Sequence, residues 1–159
     1  MDAIVAVYSD WGIGADGTQP VVLKADRQHF IALTRGRTVI AGRKTLADFP
    51  GGKPLKNRTN IILTRQSRRI DGALVAHDAA EALSLCGSDA MVLGGESVFA
   101  ALMPYIDRVF VTKIYCCPHS DSFFPDLDAD ESWRIAEKSE LMCEDGIEYR
   151  FLQYERRTP

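Results

Sequence analysis

Apolar and polar positions along the chain fall into short blocks whose period changes repeatedly. Residues 3–8 (Ala-Ile-Val-Ala-Val-Tyr) form an unbroken apolar run rich in β-branched side chains and bounded by Ser9-Asp10, the pattern of a strand buried on both faces. Residues 9–22 hold three glycines and Pro20 and predict a long loop. Over 24–33 the period becomes helical: Leu23, Asp26, Phe30 and Leu33 fall on one stripe, and Gly36 closes it. Residues 37–41 predict a second strand. A short helix leaves it over 42–48 and is broken by Phe49-Pro50-Gly51-Gly52. Strands follow at 59–63 and near 73–75, then a helix capped by Asp78 and running to Leu85. A strand at 90–93 leads through Gly94-Gly95 into a helix over 96–102 that Pro104 stops. The last third reads as strands at 108–114, 133–142 and 148–154 with little helix between them.

Alternation of strand and helix to about residue 105 predicts right-handed βαβ crossovers and an α/β fold: a mostly parallel twisted sheet of about eight strands flanked by about four helices. The last two strands, joined through 143–146, predict a hairpin and so an antiparallel edge. No linker, repeat or low-complexity tract divides the chain, which predicts a single domain over 1–159.

Composition narrows the class of function. A chain of 159 residues should bury about 70% of the surface its unfolded form exposes, enough for a core of its own. Nineteen basic against twenty-two acidic residues leave a net charge of −3, and no segment is basic enough for a nucleic-acid footprint. No apolar run approaches the roughly 18–20 residues of a membrane-spanning helix. Met1-Asp2-Ala3-Ile4 lacks the basic and apolar regions of a secretory signal, so a cytoplasmic protein is expected. The cysteines at 86, 116, 117 and 143 contain no CxxC pair and match no zinc spacing. They are expected as reduced structural thiols without a metal, Cys116 and Cys117 pointing to opposite faces of a strand. Lys24, His29 and His77 are expected at the surface.

Three glycine signals carry candidate chemistry. Gly12-Ile13-Gly14-Ala15-Asp16-Gly17 matches G-x-G-x-x-G, but a dinucleotide fingerprint needs a helix opening at the glycines, and Pro20 delays any helix to about residue 23. A permissive loop able to fold over a ligand is the better account. Gly42-Arg43-Lys44-Thr45 lies where a strand enters a helix, and unpaired N–H groups there suit an anion. Two cations at that end oppose the helix dipole, so stability alone does not call for them; a solvated basic pair on a surface turn is the plainer alternative. Gly94-Gly95-Glu96-Ser97 repeats the junction, either as a close approach for a ligand or as a simple turn. Two such junctions in one parallel sheet place a crevice at the strands' carboxyl ends.

Asp26 shares a stripe with Leu23, Phe30 and Leu33. Packed inward, a carboxyl in apolar surroundings gains affinity for its proton and can store it or bind a polar ligand. Placed outward, it merely favours the helix start.

The ordered set resembles dihydrofolate reductase along essentially the whole chain, from about residue 3 to 155. It runs from Ile4-Val5-Ala6-Val7 through Gly12-Ile13-Gly14, Pro20 ahead of Ala25-Asp26 and Phe30, and Val39-Ile40-Ala41-Gly42-Arg43-Lys44-Thr45. Pro54-Leu55, Arg58-Thr59-Asn60-Ile61-Ile62-Leu63-Thr64-Arg65 and Leu93-Gly94-Gly95-Glu96-Ser97-Val98-Phe99 follow. Thr112-Lys113-Ile114 and Asp121-Ser122-Phe123-Phe124-Pro125 close the series. The resemblance implies hydride transfer from NADPH to 7,8-dihydrofolate by a monomer that also binds antifolates. It implies that Asp26 hydrogen-bonds the pterin and promotes protonation of its N5, that Thr112 supports that carboxyl, and that Phe30 flanks the substrate. Arg58 would grip the glutamate tail, a task to which a bidentate guanidinium is suited. Val5, Ala6, Arg27, Phe49, Leu55 and Phe99 complete the implied substrate set. The implied cofactor set is Ala6, Ile13 and Gly14, then Gly42, Arg43, Lys44 and Thr45, then Leu63, Thr64 and Arg65, and the run from Leu93 to Phe99 (Leu93, Gly94, Gly95, Glu96, Ser97, Val98, Phe99). A chain at −3 weakly repels a phosphate-bearing cofactor, so local cations must bind it.

Four positions depart from the resemblance. Val21-Val22 follow Pro20 where the family usually carries tryptophan, Gln19 replaces a common methionine, Arg27 replaces an apolar residue, and Phe49 is bulkier than the usual aliphatic one. They imply a reshaped pocket with altered antifolate response. Sharing the architecture, an NADPH-dependent pyrimidine reductase of riboflavin synthesis is the nearest rival, and a non-catalytic nucleotide-binding module the next; Asp26 and Arg58 favour a pterin with a carboxylate tail.

Overall fold

A computed structural model describes residues 1–158 and shows strand and helix alternating as the pattern predicts. The strands are β1 (Asp2–Val7), β2 (Gly12–Gly14), β3 (Thr38–Gly42), β4 (Thr59–Leu63), β5 (Ala73–Ala76), β6 (Met91–Gly94), β7 (Arg108–Ile114), β8 (Ser122–Phe123), β9 (Trp133–Lys138), β10 (Met142–Glu144) and β11 (Ile147–Arg156). The helices are α1 (Lys24–Thr34), α2 (Arg43–Asp48), α3 (Ala79–Leu85) and α4 (Glu96–Leu102). One sheet runs in the order β10-β11-β7-β1-β6-β3-β4-β5, with β9 also paired to β11. From β7 to β5 every pairing is parallel, and β11 joins antiparallel.

The central strands read as continuous apolar runs because helices cover both faces. Every residue of β1 is buried, and Ile40, Ile61, Ile62 and Val92 have no exposed surface. At the amino ends of these strands, Asp2 receives Arg37 at 3.0 Å and Arg108 at 2.8 Å. Burial pushes its carboxyl up, but the two guanidiniums outweigh burial and leave it below the ordinary value. This ion cluster fastens β1, β3 and β7 at the edge opposite the glycine junctions.

Three predicted elements differ. The loop over 9–22 contains β2, which pairs with β8 in a small second sheet; three residues carry too little pattern to announce a strand. The strand predicted over 133–142 is two strands, because Ser139 interrupts the ladder: its hydroxyl, not a backbone carbonyl, accepts the Phe151 N–H at 2.9 Å. Both pieces lie along β11, and Asp145-Gly146, each with positive φ, turns β10 into it. Cys116 and Cys117 follow β7 rather than lying in a strand: Cys116 is half-buried beside Tyr8 and Ile114, and Cys117 is exposed. Among the described residues no helix is long and apolar enough to cross a membrane.

Candidate active site

Because β1, β3, β4, β6 and β7 run parallel, their carboxyl ends share one edge. Ala6 pairs with Thr112 there, Ala41 with Gly94, and Gly42 with Leu63. The loop over 9–22 leads into α1, which brings Asp26 to that edge. Thr112 Oγ1 donates to Asp26 Oδ1 at 2.5 Å, joining residues 86 apart in sequence. Oδ2 has no hydrogen-bond partner among the described residues. Burial raises the proton affinity of Asp26 above that of an ordinary carboxyl; the Thr112 bond and the charge of His29 oppose the rise, and Glu144 adds to it. The reading of Asp26 as a helix-start residue is thus the weaker one: it is a half-buried carboxyl with one oxygen anchored and one free.

Beyond Asp26, α1 reaches Arg58 through Thr34. The Thr34 hydroxyl donates to the Phe30 carbonyl at 2.7 Å and accepts from Arg58 Nε at 3.0 Å. Arg58 Nη1 donates to the Lys56 carbonyl at 2.6 Å, and Nη2 has no protein acceptor among the described residues. Burial, and next the charge of Arg35, depress its proton affinity from the usual arginine value. A half-buried cation held only by neutral acceptors and facing a like charge is built to receive an anion. Asn60, buried on β4, brackets the backbone of Leu55 with bonds of 3.0 and 2.9 Å and so fixes the wall between Phe49 and Arg58.

The two glycine junctions face each other across β3 and β6. A Cβ on Gly42 would lie 3.0 Å from Val98 Cγ2, and Gly94 has φ +117 with Phe99 at 3.0 Å from any added Cβ. Glycine is what lets α2 and α4 start this close together. Neither helix start has a side-chain cap. Arg43, Lys44 and Arg65 are exposed and form no ion pair among the described residues. Half-buried Thr45 and buried Thr64 lie beside these cations. Free N–H groups and free cations on one rim are the donor set a nucleotide phosphate needs, so these residues fit a phosphorylated dinucleotide. Glu96 differs: its carboxylate takes the Phe123 N–H at 3.2 Å and ties α4 to β8. Ser97 is exposed beside it. Val5, Val98 and Phe99 share one buried cluster, against which Ile13 and Leu63 pack, while Leu93 and Phe49 pack together against Ala41 and Leu46.

The loop over 9–22 is fastened at several points. The Tyr8 hydroxyl both donates to the Val21 carbonyl, at 2.9 Å, and accepts its N–H, at 3.0 Å. Asp121 accepts the Asp16 N–H at 3.0 Å while its own N–H donates to Gly14 at 2.9 Å. Trp11 is buried between Phe124 and Tyr154. No helix opens at Gly12–Gly17, as the position of Pro20 foretold.

Of the residues expected at the surface, Lys24 and His77, the latter beside Glu81, are exposed, whereas His29 is half-buried. It stacks on Phe151 at 4.0 Å between ring centroids, and burial depresses its proton affinity. Arg27 is exposed, and no hydrogen bond joins it to the other site residues. Thr34, Asn60, Tyr8 and Glu144 were not foreseen. Only Asn60 carried a signal, as a lone amide inside an apolar strand.

The family description matching the chain, over residues 1–156, is dihydrofolate reductase. The Bacillus subtilis dihydrofolate reductase is 32% identical over 160 residues, covering 98% of this chain and 94% of the relative. Dihydrofolate reductase type 3 of Salmonella typhimurium is 35% identical over 140 residues, covering 86% and 85%. Among solved structures, Enterococcus faecalis dihydrofolate reductase complexed with NADP(H) and RAB-propyl superposes with a TM-score of 0.88 at 29% identity, covering 99% of this chain and 96% of that one.

Proposed function

The chain belongs to the dihydrofolate reductase family, and on that premise we propose that it reduces 7,8-dihydrofolate to tetrahydrofolate with NADPH, Asp26 managing the proton. The observation that carries the assignment of Asp26 is its setting: a carboxyl of raised proton affinity, anchored through Oδ1 by Thr112 and free at Oδ2, at the carboxyl ends of parallel strands. Asp26 holds the pterin by hydrogen bonds and keeps a proton available for N5. Phe30, Phe49 and Leu55 enclose the aromatic part of the substrate with Val5 and Ala6 beneath, and Arg58 grips the tail carboxylate. Arg27, exposed on α1, stands at the rim. Arg43, Lys44, Thr45, Thr64 and Arg65 would hold the phosphates of NADPH, and the wall from Leu93 to Phe99 with Ala6, Ile13 and Gly14 would border its nicotinamide. When bound, that cofactor supplies the hydride. The fastened 9–22 loop covers this edge and excludes water from the proton on Asp26.

The chain is proposed to act as a monomer on its small-molecule substrate. Four free thiols suit the reducing cytoplasm, and a net charge of −3 with no strongly basic segment suits a small-molecule site rather than a nucleic acid. Loss of NADPH absorbance on adding 7,8-dihydrofolate tests the reading directly. Loss only with a ribosylamino-pyrimidine would favour the riboflavin-pathway rival, and binding without loss a nucleotide module. Arg43→Ala and Arg65→Ala should each raise the KM for NADPH about 10- to 100-fold and leave that for NADH within about twofold, since hydrogen bonds to charged groups contribute about 1.5–3 kcal/mol each. Equal effects on both cofactors would remove the phosphate assignment.

A further inference from the structure

Helix α1 begins at Lys24 with Leu23 as its N-cap and no side-chain cap of its own. Its first N–H groups are satisfied from far along the chain. The Glu144 carboxylate accepts the Lys24 N–H at 2.6 Å through Oε2 and the Ala25 N–H at 2.9 Å through Oε1. Both oxygens are thus spent on the two residues immediately before Asp26. The hairpin that carries Glu144 is itself fixed: Asp145-Gly146 forms its turn, and Met142 and Ile147 pack with Val21, Leu23 and Ala25 in one apolar cluster. The Tyr8 hydroxyl holds Val21, three residues before Lys24, by both its carbonyl and its N–H.

Resting on the reading of Asp26 given above, we propose that Glu144 is a positioning residue for the proton-bearing carboxyl: reaching from the β10–β11 hairpin into the first turn of α1, it sets where Asp26 stands against Thr112 and supplies the negative charge that Asp26 faces. A carboxylate at a helix start is favoured by the dipole and by its two N–H bonds, and Asp26, buried and near it, resists a second negative charge. The other polar groups facing Asp26 are the Thr112 hydroxyl from β7, the His29 ring from α1 and the phenol of Tyr8, the residue after β1. Of these, His29 opposes the effect of Glu144, and Tyr8 is neutral through the working range, its own proton held more tightly by burial. Among the described residues Glu144 is thus the one nearby charge that helps burial keep the proton on Asp26.

Carbon-13 labelling of the aspartate carboxyls in the cofactor-free protein, with the Asp26 signal identified by its loss in Asp26→Asn, reads the protonation of Asp26 without any turnover. Glu144→Gln keeps one acceptor and removes the charge; the Asp26 midpoint should fall by about half a pH unit or more, which corresponds to an about threefold loss of turnover above the midpoint and convergence with the wild type below it. A cap that acted on structure alone would lower turnover at every pH alike. Glu144→Ala should move the midpoint the same way and lower the melting temperature as well. Glu148→Gln, an exposed carboxylate on the neighbouring strand, should leave the midpoint in place. An unmoved midpoint in Glu144→Gln, or an equal displacement in Glu148→Gln, would overturn the inference. Absence of dihydrofolate-dependent NADPH oxidation in the wild type would instead refute the substrate reading and leave the carboxyl titration as the test of Glu144.

Discussion

Asp26→Asn should lower turnover of dihydrofolate at neutral pH by about 10²-fold or more, the usual worth of a positioned proton donor, while NADPH binds as tightly as before. The amide keeps the shape of the side chain and its contact with Thr112, and it can still hydrogen-bond the pterin, so KM should change far less than kcat. What it lacks is a titratable proton. The wild-type rate should be highest at acid pH and fall as pH rises through the midpoint of Asp26, whereas the variant's profile should be flat across that range. A profile in Asp26→Asn that still follows the wild type would take Asp26 out of the mechanism.

The same residue predicts a stability change of opposite sign. Because its folded-state proton affinity is raised, the native chain binds that proton more tightly than the unfolded chain does. Stability from this group is therefore fully present below the ordinary carboxylate range and declines as pH rises toward the folded-state midpoint. At pH 7 the wild type bears the burden of a buried charge that Asp26→Asn does not. The variant should melt higher than the wild type at pH 7, and the two should converge near pH 3. A protein that gives up stability to hold one carboxyl in a half-buried crevice is showing where its function lies.

How far the sequence could foretell this depends on the distance over which each feature is encoded. Helix α4 and strands β4 and β7 emerge with the predicted bounds because their apolar periodicity is continuous and their ends carry punctuation such as Gly95 and Pro104. Asp26 was legible as an anomaly, a carboxylate on an apolar stripe. Its anchor was legible only through the resemblance, because Thr112 lies 86 residues away, and no local pattern distinguishes a threonine that faces a carboxyl from one that merely favours a strand. Nor does a local pattern mark Glu144, which reaches the start of α1 across 119 residues, or Tyr8, whose hydroxyl brackets a loop residue. His29 shows the converse error: a polar residue one position before Phe30 reads as solvent-facing, yet β11 brings Phe151 against it. Sequence periodicity reports which face of an element is apolar. It does not report which partner arrives there.

Arg58 carries the second large effect. Arg58→Ala should raise the KM for 7,8-dihydrofolate by about 10²-fold or more with little change in kcat, because a bidentate pair with a carboxylate supplies two charge-assisted bonds of about 1.5–3 kcal/mol each. The tail is remote from the reacting ring, so the loss falls on binding shared by ground state and transition state. A dihydropteridine lacking the tail should be reduced equally well by variant and wild type, which separates loss of the anion grip from collapse of the pocket. Arg58→Lys should recover only a small part of the affinity: an ammonium cannot keep the Thr34 bond and the Lys56 bond while also presenting a planar fork to the ligand. Stability should hardly suffer in either variant, since Arg58 forms no ion pair with the described residues and is pressed by the charge of Arg35. If the tail-less compound loses as much as dihydrofolate does, Arg58 shapes the pocket and the carboxylate is held elsewhere. If the two substrates part as expected, the free guanidinium, the neutral acceptors that orient it and the like charge beside it have one explanation: the site is assembled around an anion that the substrate brings.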